Sequence, residues 1–105
     1  MEFDGFDWDP GNRGKCEKHG VSLHEIESLF LGSPLVGPDA AHSVDERRFR
    51  AVGLTFAGRS LFVVFTWRTK GRRALIRPIS ARYMHKKEAQ AHEKEISRFQ
   101  DRRRS

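Results

Sequence analysis

Two dense apolar runs in the second half of the chain, Leu61–Trp67 and Ala74–Ile79, restrict the possible folds more than any other feature. Phenylalanine and valine are concentrated in the first run, which favours an extended strand that is at least half-buried. Thr69, Lys70 and Gly71 lie between the runs, and a short connection with a glycine predicts an antiparallel hairpin. Because both faces of Leu61–Trp67 are apolar, we expect this strand at the centre of its sheet, with both faces covered.

The sequence pattern also predicts a strand before this hairpin. Arg47–Phe56 alternates between two faces, and Ala57 and Gly58 turn the chain into the strand Arg59–Trp67. Three consecutive antiparallel strands, a β-meander, are therefore predicted.

The N-terminal half predicts a strand and a first helix. Phe6 and Trp8 alternate with aspartates, which is typical of a half-buried edge strand. Arg13–His19 then predicts a short helix, with Gly20 as the residue that ends it.

Ser22 and Glu25 have the spacing of a capping box, which predicts a second helix from about Leu23. Its apolar face carries Ile26, Leu29 and Phe30. A very short strand is expected at Leu35–Val36, followed by a polar loop.

The last element predicted is a C-terminal helix. Ser80 is placed to cap a helix from about Arg82 to Phe99. Its apolar stripe consists of His85, Ala89, His92, Ile96 and Phe99. All 105 residues are expected to form one domain of the α/β (α+β) class, with residues 100–105 as a frayed tail.

Charge is distributed unevenly along the chain. Residues 1–46 contain 3 Lys and Arg against 10 Asp and Glu, whereas residues 47–105 contain 17 against 4. The hairpin region alone carries Arg59, Arg68, Arg72, Arg73, Arg77 and Arg82. This asymmetry points to a nucleic acid or another anionic partner, although a solvated charged surface has the same composition.

Several other classes of protein find little support. The longest apolar run, Leu61–Phe65, is far shorter than the roughly 18 residues that a membrane span needs. No signal peptide is expected, and the single cysteine, Cys16, fits a reducing cytoplasm. The histidines lack zinc spacing and no Gly-rich phosphate loop is present, so we expect neither a metal nor a cofactor.

Six blocks of residues occur in a characteristic order: Phe6-Asp7-Trp8-Asp9, Lys18-His19-Gly20-Val21-Ser22, Glu46-Arg47-Arg48-Phe49 with Gly53, Gly58-Arg59, Phe65-Thr66 with Arg68, and Ile76-Arg77-Pro78-Ile79-Ser80-Ala81-Arg82. Through these blocks the chain, from about Phe3 to Glu93, resembles the BrnT family, toxins of bacterial type II toxin–antitoxin pairs. The combination of the Lys-His-Gly-Val-Ser block with the Ile-Ser-Ala-Arg block is quite specific.

The resemblance implies a small RelE-like fold and a ribonuclease that inhibits translation. The apolar faces of Leu61–Trp67 independently lead us to expect the two N-terminal helices on one face of the sheet. It also implies a ribbon–helix–helix antitoxin of the BrnA type. The complex of the two proteins would bind operator DNA through the antitoxin and repress its own operon.

Metal-independent RNA cleavage needs a base for the 2′-OH proton, cations for the phosphorane oxygens and an acid for the leaving 5′-oxygen. Arg77 and Arg82 are the first candidates for a phosphate clamp, because a guanidinium fork suits a phosphate. Arg68 has either the same role or a positioning one.

Three further residues are candidates for proton transfer. His19 has the right intrinsic pKa, but its place at a helix end explains it equally well. Glu46 either acts as a base or forms a salt bridge with Arg47. Tyr83 either stacks, donates a proton or only packs, and RelE-like enzymes as a class rely on Arg, Lys and Tyr. The remaining cations expected to contact RNA phosphates are Arg47, Arg59, Arg68, Arg73 and Lys87.

Two readings without catalysis stay open at this point. One is a basic module that binds RNA or the ribosome and whose arginines only position phosphates. The other is a degenerate toxin that survives as the partner and corepressor of the antitoxin.

Overall fold

The described residues form a five-stranded sheet whose main core lies under the first two helices. The computed structural model describes residues 1–91 and 94. Its elements are β1 (Gly5–Phe6), α1 (Pro10–Glu17), α2 (Leu23–Leu31), β2 (Leu35–Pro38), a 3-10 turn (Ala40–His42), β3 (Phe49–Leu54), β4 (Ser60–Lys70), β5 (Arg73–Tyr83) and helical residues 86–91, named α3. The strand order is β1-β5-β4-β3-β2, so the predicted α+β class is confirmed.

The predicted hairpin is confirmed and forms the centre of the sheet. β4 and β5 are each 11 residues long and pair from Leu61 with Tyr83 to Lys70 with Arg73. Gly71 in the turn has a φ of +63°, a conformation that glycine adopts without strain. β3 pairs antiparallel with β4, which completes the predicted meander.

The main core lies between the helices and one face of the meander. Phe65 is fully buried there, and the rings of Phe30, Phe49 and Trp67 lie 5.0, 5.7 and 6.0 Å from it. Cys16 from α1 is buried in the same core, where desolvation raises the pKa of its thiol to about 12. On the other face of β4, Val64 and Thr66 are buried and Phe62 is half-buried, so the expected cover on both faces is largely present.

The capping box of α2 is confirmed. The Ser22 hydroxyl accepts a hydrogen bond from the backbone N–H of Glu25, and the Glu25 carboxylate accepts one from the Ser22 N–H. The helix ends at Leu31.

The predicted bounds of α1 are wrong at both ends. The helix runs from Pro10 to Glu17, because Asp9 caps it and Asn12 completes a capping box with Asp9. Pro10 starts the helix rather than breaking the chain, since a proline at the first helical position has no hydrogen bond to lose.

The two outer strands differ from the prediction in length. β1 has only two residues, Gly5 and Phe6, and it pairs parallel with β5 at the sheet edge. β2 extends from Leu35 to Pro38, two residues beyond the expected strand, and lies at the opposite edge.

The predicted start of the C-terminal helix is wrong. Ser80, Arg82 and Tyr83 belong to β5, where they pair with Val64, Phe62 and Leu61. A bulge between Val64 and Phe65 lets the pairing continue past Pro78, and these extra pairs outweigh the local helical signal. Helical residues begin only at position 86. The stripe residues His92, Ile96 and Phe99 and the tail 100–105 lie outside the described residues.

Within residues 1–91 and 94, no helix is long and apolar enough to cross a membrane.

Asn12 joins three segments of the fold through its buried side chain. Its amide nitrogen donates to the carbonyl oxygens of Asp7 and Pro78 at 2.9 and 2.8 Å, and its amide oxygen accepts from the Asp9 N–H at 2.7 Å. We predict that Asn12→Ala lowers the free energy of unfolding by about 1–3 kcal/mol, because carbonyls are left unpaired. Urea denaturation tests this, with the exposed neighbour Arg13→Ala as control. Equal stability of the two variants would contradict the prediction.

Candidate functional site

A cavity of about 280 Å³ lies where the first half of α1 meets β4, β5 and the segment before β3. Its lining residues are Gly11, Asn12, Lys15, Glu46, Arg48, Arg68, Arg77 and Ile79. Four cationic side chains and one carboxylate therefore surround a space of nearly the size of a small ligand pocket.

Arg77 reaches this cavity from the middle of β5. Its guanidinium contacts the carboxylates of Asp7 at 3.4 Å and Asp9 at 2.8 Å, and only 18% of its side chain is exposed. Lys70 also contacts Asp7, at 3.1 Å. The aspartates of the N-terminal segment thus fix the orientation of Arg77.

Arg68 and Glu46 form the second ion pair of the cavity, with 2.7 Å between Nη1 and Oε2. The hydrogen bond from Arg68 is the main cause that lowers the pKa of Glu46. The sequence suggested Arg47 as the partner of Glu46, but Arg47 instead lies over the ring of Phe49, 5.7 Å from its centroid.

Arg48, like Lys15, is a charged lining residue that the sequence did not single out. Its backbone is held on both sides: the N–H donates to Ser43 Oγ at 2.9 Å and the carbonyl accepts from the Asp39 N–H at 2.9 Å. In the described part of the chain, its Nε is a buried side-chain nitrogen without a hydrogen-bond partner. In the sequence, nothing about the adjacent charges Glu46-Arg47-Arg48 indicates which of the two arginines lines the cavity.

Arg82 lies elsewhere on β5. Its guanidinium binds Glu88 of α3 through two hydrogen bonds of 2.7 and 2.9 Å and lies over the ring of Phe62, 4.6 Å from its centroid. The bond from Arg82 is the main cause that lowers the pKa of Glu88 to about 2.

Arg77 and Arg82 share one face of the sheet but do not meet. Residues directly opposite each other in an antiparallel pair share a face, and the partners on β4 are Thr66 and Phe62. Those partners are four positions apart, which is roughly 13 Å along a strand. The structure therefore does not bring the two arginines together on one phosphate.

Tyr83 forms a second polar group with residues from α2 and the β3–β4 turn. Its hydroxyl donates to Glu25 at 2.6 Å, and this bond is the main cause that raises the pKa of Tyr83. The Arg59 guanidinium lies 3.4 Å from the centroid of the Tyr83 ring. His19 is exposed beside Gly20, whose carbonyl accepts from the Tyr83 hydroxyl at 3.4 Å.

The two remaining phosphate-contact candidates are exposed. Arg73, at the start of β5, donates to the carbonyl of Asp4 at 3.3 Å. Lys87 is exposed in α3. Among residues 1–91 and 94, no group of three or more His, Cys, Asp or Glu side chains is arranged to hold a metal ion.

Comparison with known proteins gives one clear match. A family model described as the ribonuclease toxin, BrnT, of type II toxin–antitoxin systems matches residues 8–88, roughly three quarters of the chain. The matched segment includes every lining residue of the cavity and the Arg82–Glu88 pair. No curated protein matches the chain.

The Arg82–Glu88 pair gives a prediction about stability in acid. Because the pKa of Glu88 is about 2 in the folded protein against an ordinary 4.5, the pair stabilises the fold above pH 4.5 and loses this effect between about pH 4.5 and 2. Glu88→Gln should lower the free energy of unfolding at pH 7 by about 1 kcal/mol or less, since both side chains are partly exposed.

Urea denaturation of the wild type and Glu88→Gln at several pH values measures this difference. The two proteins should converge in stability as the pH falls towards 2. A difference that stays constant from pH 7 to pH 2 would show that the ion pair contributes nothing.

Proposed function

The chain belongs to the BrnT family, the ribonuclease toxins of type II toxin–antitoxin systems, and we propose that it cuts RNA internally, without a metal ion, at the arginine cavity. The products are a 2′,3′-cyclic phosphate and a free 5′-hydroxyl. The resemblance of the chain and its meander preceded by two helices support a RelE-like fold. The single cysteine, Cys16, agrees with action in the cytoplasm.

The observation that carries this proposal is the convergence of Lys15, Arg48, Arg68 and Arg77 on one cavity. A buried guanidinium nitrogen without a partner, the Nε of Arg48, is costly unless a ligand supplies an acceptor. A phosphate has acceptor oxygens on all sides and the charge to match, so it is the ligand that fits this lining. The volume of the cavity suits one phosphate with its ribose.

Glu46 is the base in this proposal. A phosphate that enters the cavity competes with Glu46 for the guanidinium of Arg68. Loss of that hydrogen bond raises the pKa of Glu46 and makes its carboxylate a better acceptor for the 2′-OH proton. Substrate binding itself thus activates the base.

The remaining steps use the cations of the lining. As the 2′-oxygen attacks phosphorus, charge grows on the non-bridging oxygens, and Arg48, Arg68 and Arg77 stabilise it. The bond to the 5′-oxygen breaks and Lys15 supplies the proton that this oxygen needs. Glu46 gains one proton and Lys15 loses one, so a proton exchange with water restores both.

Arg82 and Tyr83 contact flanking nucleotides in this proposal. Arg82 and Phe62 present a guanidinium and a half-buried ring on the same face as Arg77. Arg59 and Tyr83 present a second stacked pair. Single-stranded RNA binds through such combinations of cations and stacking surfaces. Arg47, Arg73, Lys87 and His19 are assigned to the outer parts of the same path.

We also propose that the antitoxin is of the BrnA type, with a ribbon–helix–helix part that binds operator DNA. The simplest neutralisation is an acidic antitoxin segment that covers the arginine cavity and excludes RNA. A toxin released from such a complex stops translation by cutting RNA.

This form of neutralisation predicts that inorganic phosphate and the antitoxin compete for the toxin. Inorganic phosphate should weaken antitoxin binding to the wild-type toxin more than sodium chloride of equal ionic strength does, because phosphate occupies the same cations. Isothermal titration calorimetry in the two salts measures the effect. Equal affinities would place the antitoxin away from the cavity.

The proposed cleavage site predicts which substitutions lower the rate of RNA cleavage. Purified, antitoxin-free protein should cut naked RNA in EDTA and leave 2′,3′-cyclic phosphate ends. Arg68→Ala and Arg77→Ala should each lower the cleavage rate at least about 100-fold, since each removes a donor to the transition state. Arg72→Ala, an exposed arginine outside the cavity, should cut like the wild type.

Circular dichroism of each variant separates loss of activity from loss of fold. Wild-type protein that binds RNA in EDTA without cutting it would contradict the proposal and favour a ribosome-dependent cutter or a non-catalytic module. Cleavage that survives Arg68→Ala and Arg77→Ala would move the site to the Tyr83 group.

A further inference from the structure

An exposed apolar patch lies at the end of β3, away from the arginine cavity. Leu54 and Phe56 are 55% and 67% exposed, and Leu31 of α2 is 73% exposed. The ring of His24 lies 4.8 Å from the ring of Phe56. His24, Ser28 and Leu31 are spaced by four and three residues, so they follow one stripe of α2. We call Leu31, Leu54, Phe56 and His24 the Phe56 patch.

The patch is held in place rather than loosely attached. The backbone N–H of Phe56 donates to the Ser28 hydroxyl at 3.1 Å, which ties the turn to α2. The turn itself is closed by a hydrogen bond from the Thr55 N–H to the carbonyl of Arg59 at 2.9 Å. Because these groups are already fixed, the toxin loses little conformational entropy when a binding partner covers them. An exposed apolar patch of this kind therefore suits a protein partner.

The strand edge beside Leu54 also lacks a strand partner in the described part of the chain. β2 pairs only with Phe49 to Val52, so β3 extends beyond it. Thr55 N–H bonds across to Arg59 on the β4 side, and strand hydrogen bonds alternate in direction. The backbone N–H and C=O of Leu54 therefore point to the side beyond the end of β2, where Pro34 lies against the neighbouring Gly53 and an extended peptide can pair with Leu54 itself.

From these observations we propose that the Phe56 patch is the anchor site of the antitoxin. The antitoxin segment lies extended along Leu54, pairs with the free edge of β3 and places large apolar side chains against Phe56. The outward N–H and C=O of Leu54 favour a polypeptide, because an extended peptide offers a C=O and an N–H that match this pair.

The charged residues around the patch indicate which side chains the bound antitoxin segment carries. Arg50, on the same strand as Leu54, and Arg59, after the turn, are both exposed. An apolar segment with flanking acidic residues complements this surface. Leu54 pairs with Ser60 and so shares its face of the sheet with Phe62 and Arg82. A chain anchored at the patch can continue from there towards the arginines.

This inference rests on the part of the proposed function that names a protein antitoxin as the partner. It is independent of where RNA is cut. It also explains how an antitoxin binds tightly when the arginines supply only part of its affinity, since Asp7, Asp9 and Glu46 compete for them.

The test measures the affinity of the toxin for its co-purified antitoxin. Phe56→Ser combined with Leu54→Ser should weaken binding at least about 100-fold, because an apolar anchor near the centre of an interface dominates its affinity. Val44→Ser, an 85% exposed apolar residue outside the patch, is the matched control and should bind like the wild type. Leu31→Ser is a second patch variant on a different element.

Each result can be told apart from failure of the cleavage proposal. Patch variants should keep the cleavage rate of the wild type on naked RNA but escape inhibition by the antitoxin. Arg77→Ala should keep antitoxin binding to within about tenfold even though cleavage is lost. If the protein cuts no RNA at all, the binding measurement still stands.

Unchanged affinity in both the Phe56/Leu54 double variant and Leu31→Ser would overturn the inference. It would equally be overturned if the patch variants turned a dimeric free toxin into a monomer without weakening the antitoxin complex. The patch would then join two copies of the toxin. Circular dichroism and urea unfolding of all variants confirm that the compared proteins are folded.

Discussion

The pairing of β4 with β5 is the interaction on which the rest of the structure depends. These strands supply the central rows of the core, including Phe65, and carry Arg68, Arg77 and Arg82 among their residues. Because side chains alternate across a strand, one backbone ladder fixes both the buried surface and the spacing of the cations. A shift of one residue in this register would exchange the two sets and destroy both.

Ion pairs between the two halves of the chain offset part of its uneven charge. Carboxylates from the N-terminal half, Asp7, Asp9 and Glu46, bind the arginines of β4 and β5. Guanidiniums gathered this closely would otherwise repel each other, and the ion pairs also hold them in fixed orientations. In the proposed function, an RNA phosphate or an acidic antitoxin segment displaces these carboxylates or shares the arginines with them. This competition would lower the affinity for the anion, and displacement of Glu46 from Arg68 would change its basicity.

The arginine cavity and the Phe56 patch place different demands on the fold. The cavity combines side chains from α1, β4, β5 and the segment before β3, so its geometry depends on the whole domain. The patch is local to one turn and one helix stripe. In the proposed arrangement, a separate anchor keeps the antitoxin bound while the residues of the proposed cleavage cavity remain free to be optimised for RNA.

The sequence by itself determined the hairpin, the capping box of α2 and the position of Arg77 on the second strand of the hairpin, because these depend on neighbours a few residues apart. It did not determine how far β5 continues, since local helix signals at Ser80 competed with strand pairing that only β4 supplies. Nor did it reveal the partners of the cations: Asp7 and Arg77 are 70 positions apart. The inward turn of Arg48 also depends on the packed sheet and α1. Contacts between distant segments arise only when the chain is folded, so tertiary structure alone decided the site.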